Sequence, residues 1–170
     1  MVVFAPFFGE YRNYVITAGG VLKAVPADTE TFQINIDGLD AVITEKTKLI
    51  IVNNPNNPTG VIYSGDTLDQ LQKALERAEA RIGHPLYVIS DEPYREIIYD
   101  NTKVPCILDY YNNSFIGYSY SKSLSLPGER IGYIVINPKI NTFDDIASAL
   151  NIANRILGFV NAPSLFQRVI

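Results

Sequence analysis

The stretch SGDTLDQLQKALERAEARIGHPLYVISDEPY, residues 64–94, joins a helix pattern directly to a strand pattern. Its first apolar residues recur three and four positions apart: Leu68, Leu71, Leu75, Ala78 and Ile82. This spacing predicts an amphipathic helix over 65–82. Ser64 is suited to cap its start, and Gly83 with Pro85 is suited to end it. The run Leu86–Ser90 that follows is short and apolar on both faces, which is typical of a buried strand.

The same alternation of patterns extends in both directions from this stretch. Five further apolar runs predict strands: Val2–Ala5, Val21–Val25, Leu49–Asn53, Ser114–Ser119 and Ile131–Ile136. Helical patterns lie between them, one at Phe143–Leu157 and weaker ones at Gly9–Thr17 and Asp37–Glu45. Strands alternating with helices indicate an α/β fold, a mainly parallel sheet covered by helices. In such sheets ligands bind where the strands end.

Composition excludes several classes of protein. The chain has 170 residues, enough for one domain with a real core, and a net charge of −4 without a Lys/Arg block, which argues against nucleic-acid binding. It has one cysteine, Cys106, so no internal disulfide forms, and one histidine, His84, so neither a metal cluster nor a Ser–His relay is expected. No apolar run approaches a membrane span and no signal-peptide pattern opens the chain, so we expect a cytoplasmic protein without membrane contact.

The acid at the end of the fourth strand needs an explanation. Asp91 follows Leu86–Ser90 directly, and a carboxylate at the inner end of a buried strand is costly unless it is paired. The nearest basic residue, Arg95, is expected to point elsewhere. Either Asp91 caps a turn, or a cationic group of a ligand lies at this edge of the sheet.

The loop after the third strand, NNPNNPTG at 53–60, also allows two interpretations. Asn and Pro both favour turns, so the loop alone is more simply a tight turn. The functional interpretation is that a rigid loop presents one asparagine amide as a hydrogen-bond donor.

The most specific stretch is SYSKSLSLPGERIG at 119–132, after the fifth strand. Lys122 lies among small hydroxyl residues, and a lysine in an enclosed site can lose its proton and attack a carbonyl carbon. Arg130 with nearby hydroxyls offers what a phosphate dianion requires. The alternative is a solvated lysine in a serine-rich loop, which this spacing does not favour.

Together the three loops offer an amine for an aldehyde, a carboxylate for a ring nitrogen, amide and phenol donors, and a phosphate site. That set describes pyridoxal 5′-phosphate. Over essentially its whole length, and with the three motifs in the same order, the chain resembles the class I/II, aspartate aminotransferase-like enzymes of fold type I. The resemblance implies a three-layer α/β/α architecture with about six strands, mainly parallel, and one antiparallel strand near the edge.

The resemblance also implies roles for the residues of these motifs. Lys122 matches the lysine that forms the Schiff base with the cofactor and then moves the substrate proton. Asp91 matches the partner of the pyridine nitrogen. Tyr94 and Asn57 match the pair that hydrogen-bonds the phenolic oxygen, and Pro58 lies where the family often has a cis peptide bond.

Further positions match the cofactor's phosphate and ring contacts. Ser119 and Arg130 correspond to phosphate ligands, with Ser121 as an additional candidate. Phe8, in the stretch APFFGEY, corresponds to the aromatic residue that stacks on the ring. Phe7 is the rival for that role, and a place in the core remains open for either phenylalanine.

Family members are longer, so we expect residues 1–170 to be the central part of the cofactor-binding large domain, without its N-terminal segment and the C-terminal small domain. The chain begins directly on a strand-like run and stops within SLFQRVI. The implied activity is amino-group transfer between an L-amino acid and a 2-oxo acid, with reduced or no activity in a fragment, and the implied full-length enzyme is a homodimer. Two alternatives stay open: a carbon–sulfur lyase or other eliminating relative, and a non-catalytic cofactor-binding module.

Overall fold

The computed structural model describes residues 1–170 as an alternation of strands and helices. The strands are β1 Val2–Phe4, β2 Lys23–Val25, β3 Leu49–Asn53, β4 Tyr87–Asp91, β5 Ser114–Ser119 and β6 Gly132–Ile136. The helices are α1 Glu10–Thr17, α2 Ile36–Val42, α3 Gly65–Ile82, α4 Ile107–Tyr110, α5 Tyr120–Ser123, α6 Phe143–Ile156 and α7 Phe166–Val169. A 3₁₀ turn at Pro127–Glu129 precedes β6.

All six strands belong to one sheet, in the order β2-β1-β3-β4-β5-β6. Every neighbouring pair is parallel except β5 and β6, which are antiparallel and leave β6 at the edge. Because β6 runs in the opposite direction, its first residue lies beside the end of β5, and Gly132 pairs with Ser119. The predicted mainly parallel sheet with one antiparallel strand is therefore confirmed.

Helix α3 has the bounds that the apolar spacing predicts. The Ser64 side chain accepts a hydrogen bond of 3.1 Å from the Thr67 amide, which satisfies one free N–H of the first turn. Gly83 ends the helix in the left-handed conformation, with φ of 77°. The apolar face between these caps packs on the sheet, and Leu71 and Leu75 are completely buried there.

The main core lies between α2, α3, α4 and one face of the sheet. Alternate strand residues point into it: Val2, Phe4, Ile50, Val52 and Val88. The opposite face carries α1. The connection from β1 to β2 through α1 and the connection from β2 to β3 through α2 run in opposite directions along the sheet. Because such crossovers are right-handed, α1 and α2 lie on opposite faces. Tyr11 and Val15 are the buried residues of α1. The three-layer arrangement follows.

One predicted helix differs clearly in its bounds. The pattern predicts Asp37–Glu45, but α2 spans Ile36–Val42, with the Asn35 side chain accepting a hydrogen bond of 2.8 Å from the Gly38 amide as its cap. The helix ends early because Ile43 is extended and buried in the core. No helix of the structure has both the length and the apolar composition that crossing a membrane requires.

Candidate active site

Strand alternation decides which way Asp91 points. Ser90 and Glu92 lie on the side of the main core and are buried, so Asp91 between them lies on the α1 side. Asp91 pairs with Asn53 of β3 and Gly117 of β5, at the carboxyl end of the parallel strands. No Lys or Arg side chain forms an ion pair with its half-buried carboxylate.

Tyr11 is the residue that contacts this carboxylate, and the sequence did not identify it. Its hydroxyl donates a short hydrogen bond of 2.5 Å to Oδ2 of Asp91. Burial raises the pKa of Asp91, and this hydrogen bond opposes that effect. Burial first, and the neighbouring carboxylate second, hold the pKa of the Tyr11 phenol far above its ordinary value, so it remains a donor. The signal in the sequence that could have identified Tyr11 is its position three residues after Phe8. The two rings pack edge-on, with 5.6 Å between their centroids.

The basic residue near Asp91 in sequence pairs elsewhere, as expected. Arg95 donates to Oε2 of Glu92 at 2.9 Å, and Ser90 donates to Oε1 of the same carboxylate at 2.7 Å. Burial raises the pKa of Glu92, whereas the Ser90 hydrogen bond and the Arg95 charge lower it. This ion pair, of the buried Glu92 with the half-buried Arg95, is a second feature that the sequence did not identify, and it leaves Asp91 without a cationic partner.

The loop after β3 is tied to the strand of Asp91 by two donors to the Asp91 carbonyl, the Asn53 side chain and, at 3.1 Å, the Asn54 backbone N–H. The Asn53 side chain donates to the Asp91 carbonyl at 2.8 Å and accepts from the Asn57 amide at 2.7 Å. The bond between Asn57 and Pro58 is cis, as the resemblance leads one to expect. The Asn57 side chain makes no hydrogen bond within the chain, so its amide is available to a ligand.

Asn57 and Tyr94 line the same cleft, which has a volume of about 560 Å³. Ile97, Tyr99 and other residues that follow Tyr94 in the chain also line it. Asp91, Lys122 and Arg130 do not line this cleft, so its volume describes only the side of the site next to Asn57 and Tyr94.

Lys122 lies in the single-turn helix α5 that follows β5. Its Nζ atom is 6.0 Å from the centroid of the Tyr94 ring, within the range of a cation–π contact. The side chain is exposed. The lysine motif and the segment after β4 are therefore brought together, although Tyr94 and Lys122 are 28 positions apart in the chain.

The candidate anion ligands lie at the same edge of the sheet. The Ser119 hydroxyl is 2.6 Å from the Ser121 hydroxyl and accepts a bond of 3.1 Å from the Ser121 amide. Arg130 lies two residues before β6 begins at Gly132, and Gly132 pairs with Ser119, so Arg130 lies near the end of β5. Its guanidinium donates to the Pro127 carbonyl at 2.7 Å and makes no hydrogen bond to either serine.

Gly132, the last residue of this motif, is required for steric reasons. A Cβ atom on Gly132 would lie 2.2 Å from the Tyr118 carbonyl oxygen, a separation that real structures do not show. Close pairing of β5 with β6 therefore requires glycine here, and this pairing keeps Arg130 at the edge next to Ser119.

The aromatic candidates near α1 differ in exposure. Phe8 is 41% exposed, and its ring packs on Tyr11, the residue that contacts Asp91. Phe7 is half-buried. The contacts thus connect Phe8, Tyr11 and Asp91 in one group and Tyr94 with Lys122 in another, both at the carboxyl edge of the sheet.

The remaining polar candidates have structural partners. His84 lies in a loop, with Nε2 at 2.8 Å from the Glu45 carbonyl oxygen. Cys106 is half-buried and precedes α4. The structure contains no group of three or more His, Cys, Asp or Glu side chains that could hold a metal ion.

Comparison with known proteins gives a consistent result. The profile of the family described as "Aminotransferase class I and II" matches residues 1–170. An aspartate aminotransferase of Thermotoga maritima is 30% identical over 145 residues, which are 84% of this chain and 37% of that protein. An aspartate aminotransferase of Pyrococcus abyssi is 35% identical over 133 residues, 76% of this chain and 33% of that protein.

A crystal structure of an amino transferase from Eubacterium rectale has the same fold with a TM-score of 0.95. It is 49% identical to this chain, and the match covers 98% of this chain and 42% of that one. The chain therefore spans well under half the length of the proteins it matches.

Proposed function

This chain belongs to the class I and II aminotransferase family, and from that premise we propose that it is the central part of the large domain of an enzyme that moves an amino group between an L-amino acid and a 2-oxo acid. We propose pyridoxal 5′-phosphate as its cofactor. The observation that carries the proposal is the half-buried Asp91 carboxylate, which has a phenol donor and no cationic partner, at the sheet edge where Lys122 approaches Tyr94.

Asp91 fits the ring nitrogen of this cofactor. A carboxylate in a partly desolvated position favours a cation beside it, because an opposite charge offsets the cost of burial. When bound, the protonated ring supplies an electron sink for charge that develops at the substrate Cα. Tyr11 holds Asp91 in place through its 2.5 Å hydrogen bond, and Phe8, packed on Tyr11, would cover one face of the ring.

Asn57 and Tyr94 fit the phenolic oxygen of the cofactor. Their side chains line one cleft and carry an amide and a hydroxyl, both of which can donate a hydrogen bond. Such donors stabilise negative charge on an oxygen atom. The Asn53 side-chain amide, which bonds to the main chain of both Asp91 and Asn57, ties the position of Asn57 to that of Asp91.

Ser119, Ser121 and Arg130 fit the phosphate group. Hydroxyl and guanidinium donors are the side chains that bind phosphate oxygens most effectively in proteins. Arg130 has a left-handed backbone, with φ of 52°, which is costly for a residue with a Cβ atom. This conformation sets the direction of the Arg130 side chain, which would bind the phosphate in the proposed site.

Lys122 provides the amine of the proposed site. Its Nζ atom would hold the cofactor covalently and, once displaced by the substrate amine, would move the proton at the substrate Cα. The Tyr94 ring lies beside Nζ, with 6.0 Å between the nitrogen and the ring centroid, and would border the space in which the amine acts.

The experiment that tests the proposal is addition of pyridoxal 5′-phosphate to the purified chain, followed by borohydride reduction and peptide mass spectrometry. We expect a visible absorbance band and a cofactor adduct on the peptide that contains Lys122. The Lys122→Ala variant should lose both, whereas Lys139→Ala, which removes another exposed lysine, should keep both. An unchanged band in Lys122→Ala, or an adduct spread over several lysines, would refute the assignment.

Transfer itself is tested on the full-length protein. A 2-oxo acid incubated with an amino acid donor should yield a new amino acid, and it should not do so after Asp91→Ala. Formation of pyruvate and ammonia in place of a new amino acid would show elimination instead.

A further inference from the structure

A chain of hydrogen bonds connects the segment after β4 with the turn that carries Lys122. The Tyr118 hydroxyl oxygen is 2.5 Å from Oε2 of Glu96 and 2.7 Å from Oγ of Ser123. A phenol has one hydrogen, and a carboxylate can only accept. Tyr118 therefore donates to Glu96, and the Ser123 hydroxyl donates to Tyr118.

The two residues at the ends of this series of hydrogen bonds are next in sequence to residues of the proposed site. Glu96 lies two positions after Tyr94, and Ser123 directly follows Lys122. The same two segments meet at the contact of 6.0 Å between Nζ of Lys122 and the Tyr94 ring. The segment after β4 and the turn of Lys122 are thus connected twice, once by these hydrogen bonds and once by the contact between Lys122 and Tyr94.

Tyr118 is held in a fixed position by its neighbours. It is buried, it stacks on Tyr133 with 4.9 Å between ring centroids, and it packs edge-on against Tyr120 at 5.1 Å. Burial and the Glu96 carboxylate raise the pKa of Tyr118 to about 12, so its hydroxyl keeps its proton across the neutral range. A rigid, protonated phenol is well suited to connect two loops.

We propose that Glu96, Tyr118 and Ser123 act as a positioning bridge that sets the Lys122 amine against Tyr94. The inference rests on the proposed function, because it assigns a purpose to the position of that amine. None of the three residues needs to contact the cofactor. The turn at Tyr120–Ser123 also contacts the segment after β4 through the exposed Lys122 side chain.

The experiment compares three variants of the chain after loading with pyridoxal 5′-phosphate. Tyr118→Phe and Ser123→Ala each break the bridge, and Tyr133→Phe is the matched control, because that ring belongs to the same cluster and its hydroxyl makes no hydrogen bond. The readout is the pH midpoint of the visible band of the lysine-bound cofactor. We expect the midpoint to rise by about half a pH unit in both bridge variants, because a looser turn leaves the nitrogen more hydrated and hydration favours its charged form.

The double variant Tyr118→Phe with Ser123→Ala should shift the midpoint no further than either single change, since both remove the same connection. Thermal unfolding identifies a variant that does not fold, and Glu96→Gln then serves as a third way to weaken the bridge. A wild-type chain without any band would refute the proposed function itself. A wild-type band whose midpoint is the same in all variants would overturn the bridge alone.

Discussion

The contact between Tyr11 and Asp91 gives a prediction that does not depend on the proposed function. Tyr11→Phe removes one hydroxyl and keeps the ring that packs on Phe8. The lost hydrogen bond, 2.5 Å long, ends on a half-buried carboxylate. Hydrogen bonds to charged groups contribute about 1.5–3 kcal/mol, so we expect the free energy of unfolding at pH 7 to fall by that amount.

The loss should depend on pH in a defined direction. Burial raises the pKa of Asp91 above its ordinary value of 3.8, and the Tyr11 hydrogen bond partly opposes this, so the variant raises it further. A carboxyl whose pKa is raised in the folded state binds its proton more tightly when folded. The contribution of Asp91 to stability is therefore present at acid pH and is lost as the pH rises through its pKa in the folded state. The deficit of Tyr11→Phe should be smallest below about pH 4 and full at pH 7.

The assay is urea unfolding, followed by circular dichroism, of the wild type, Tyr11→Phe, Asp91→Asn and the double variant at both pH values. Glu92, whose pKa is also raised by burial, is present in all four proteins and cancels in the differences. With Asp91→Asn as background, Tyr11→Phe should cost only about 1 kcal/mol, the contribution of a neutral hydrogen bond. An equal deficit at both pH values, or an undiminished cost in that background, would contradict the reasoning.

Three further predictions concern the scaffold and are all measured by chemical denaturation. Gly83→Ala should lower stability by about 1–2 kcal/mol because φ there is 77°, whereas Gly128→Ala, which has equally open space without a positive φ, should change little. Leu71→Ala should cost about 2–5 kcal/mol in the completely buried core, and Ile152→Ala, at a site 59% exposed, less than about 0.5 kcal/mol. Ser64→Ala should cost about 1 kcal/mol through loss of the α3 cap, and no measurable loss would show that the cap is dispensable.

Most of the scaffold could be predicted from local pattern. Helix α3 and strands β3 and β5 have the predicted bounds. The helix must bury one apolar stripe and a central strand must bury both faces, and the spacing of apolar residues in the sequence reflects these requirements. The single-turn helices α4, α5 and α7 were not predicted, since four residues are too few to show a helical period. The predicted end of α2 was wrong, because Ile43 is extended and buried in the core although the helical pattern of the sequence continues past it.

The edge at which the candidate residues gather could also be predicted. Parallel strands have their carboxyl ends on the same side, so Asp91, Asn57 and Lys122, each just after a strand, were expected to share it. The structure places them at that edge, with Lys122 next to Tyr94. Their roles toward a cofactor stay predictions that the labelling experiment addresses.

The sequence by itself determined the order of strands and helices and the residues at the carboxyl edge, because both follow from short repeating patterns. Only the tertiary structure decided the partners of the charged groups: Tyr11 for Asp91, Arg95 for Glu92, and Tyr118 between Glu96 and Ser123. Tyr11 and Asp91 are 80 positions apart in the chain. A hydrogen bond requires an alignment of about 3 Å, and such an alignment arises only once the sheet, its twist and its covering helices are all in place.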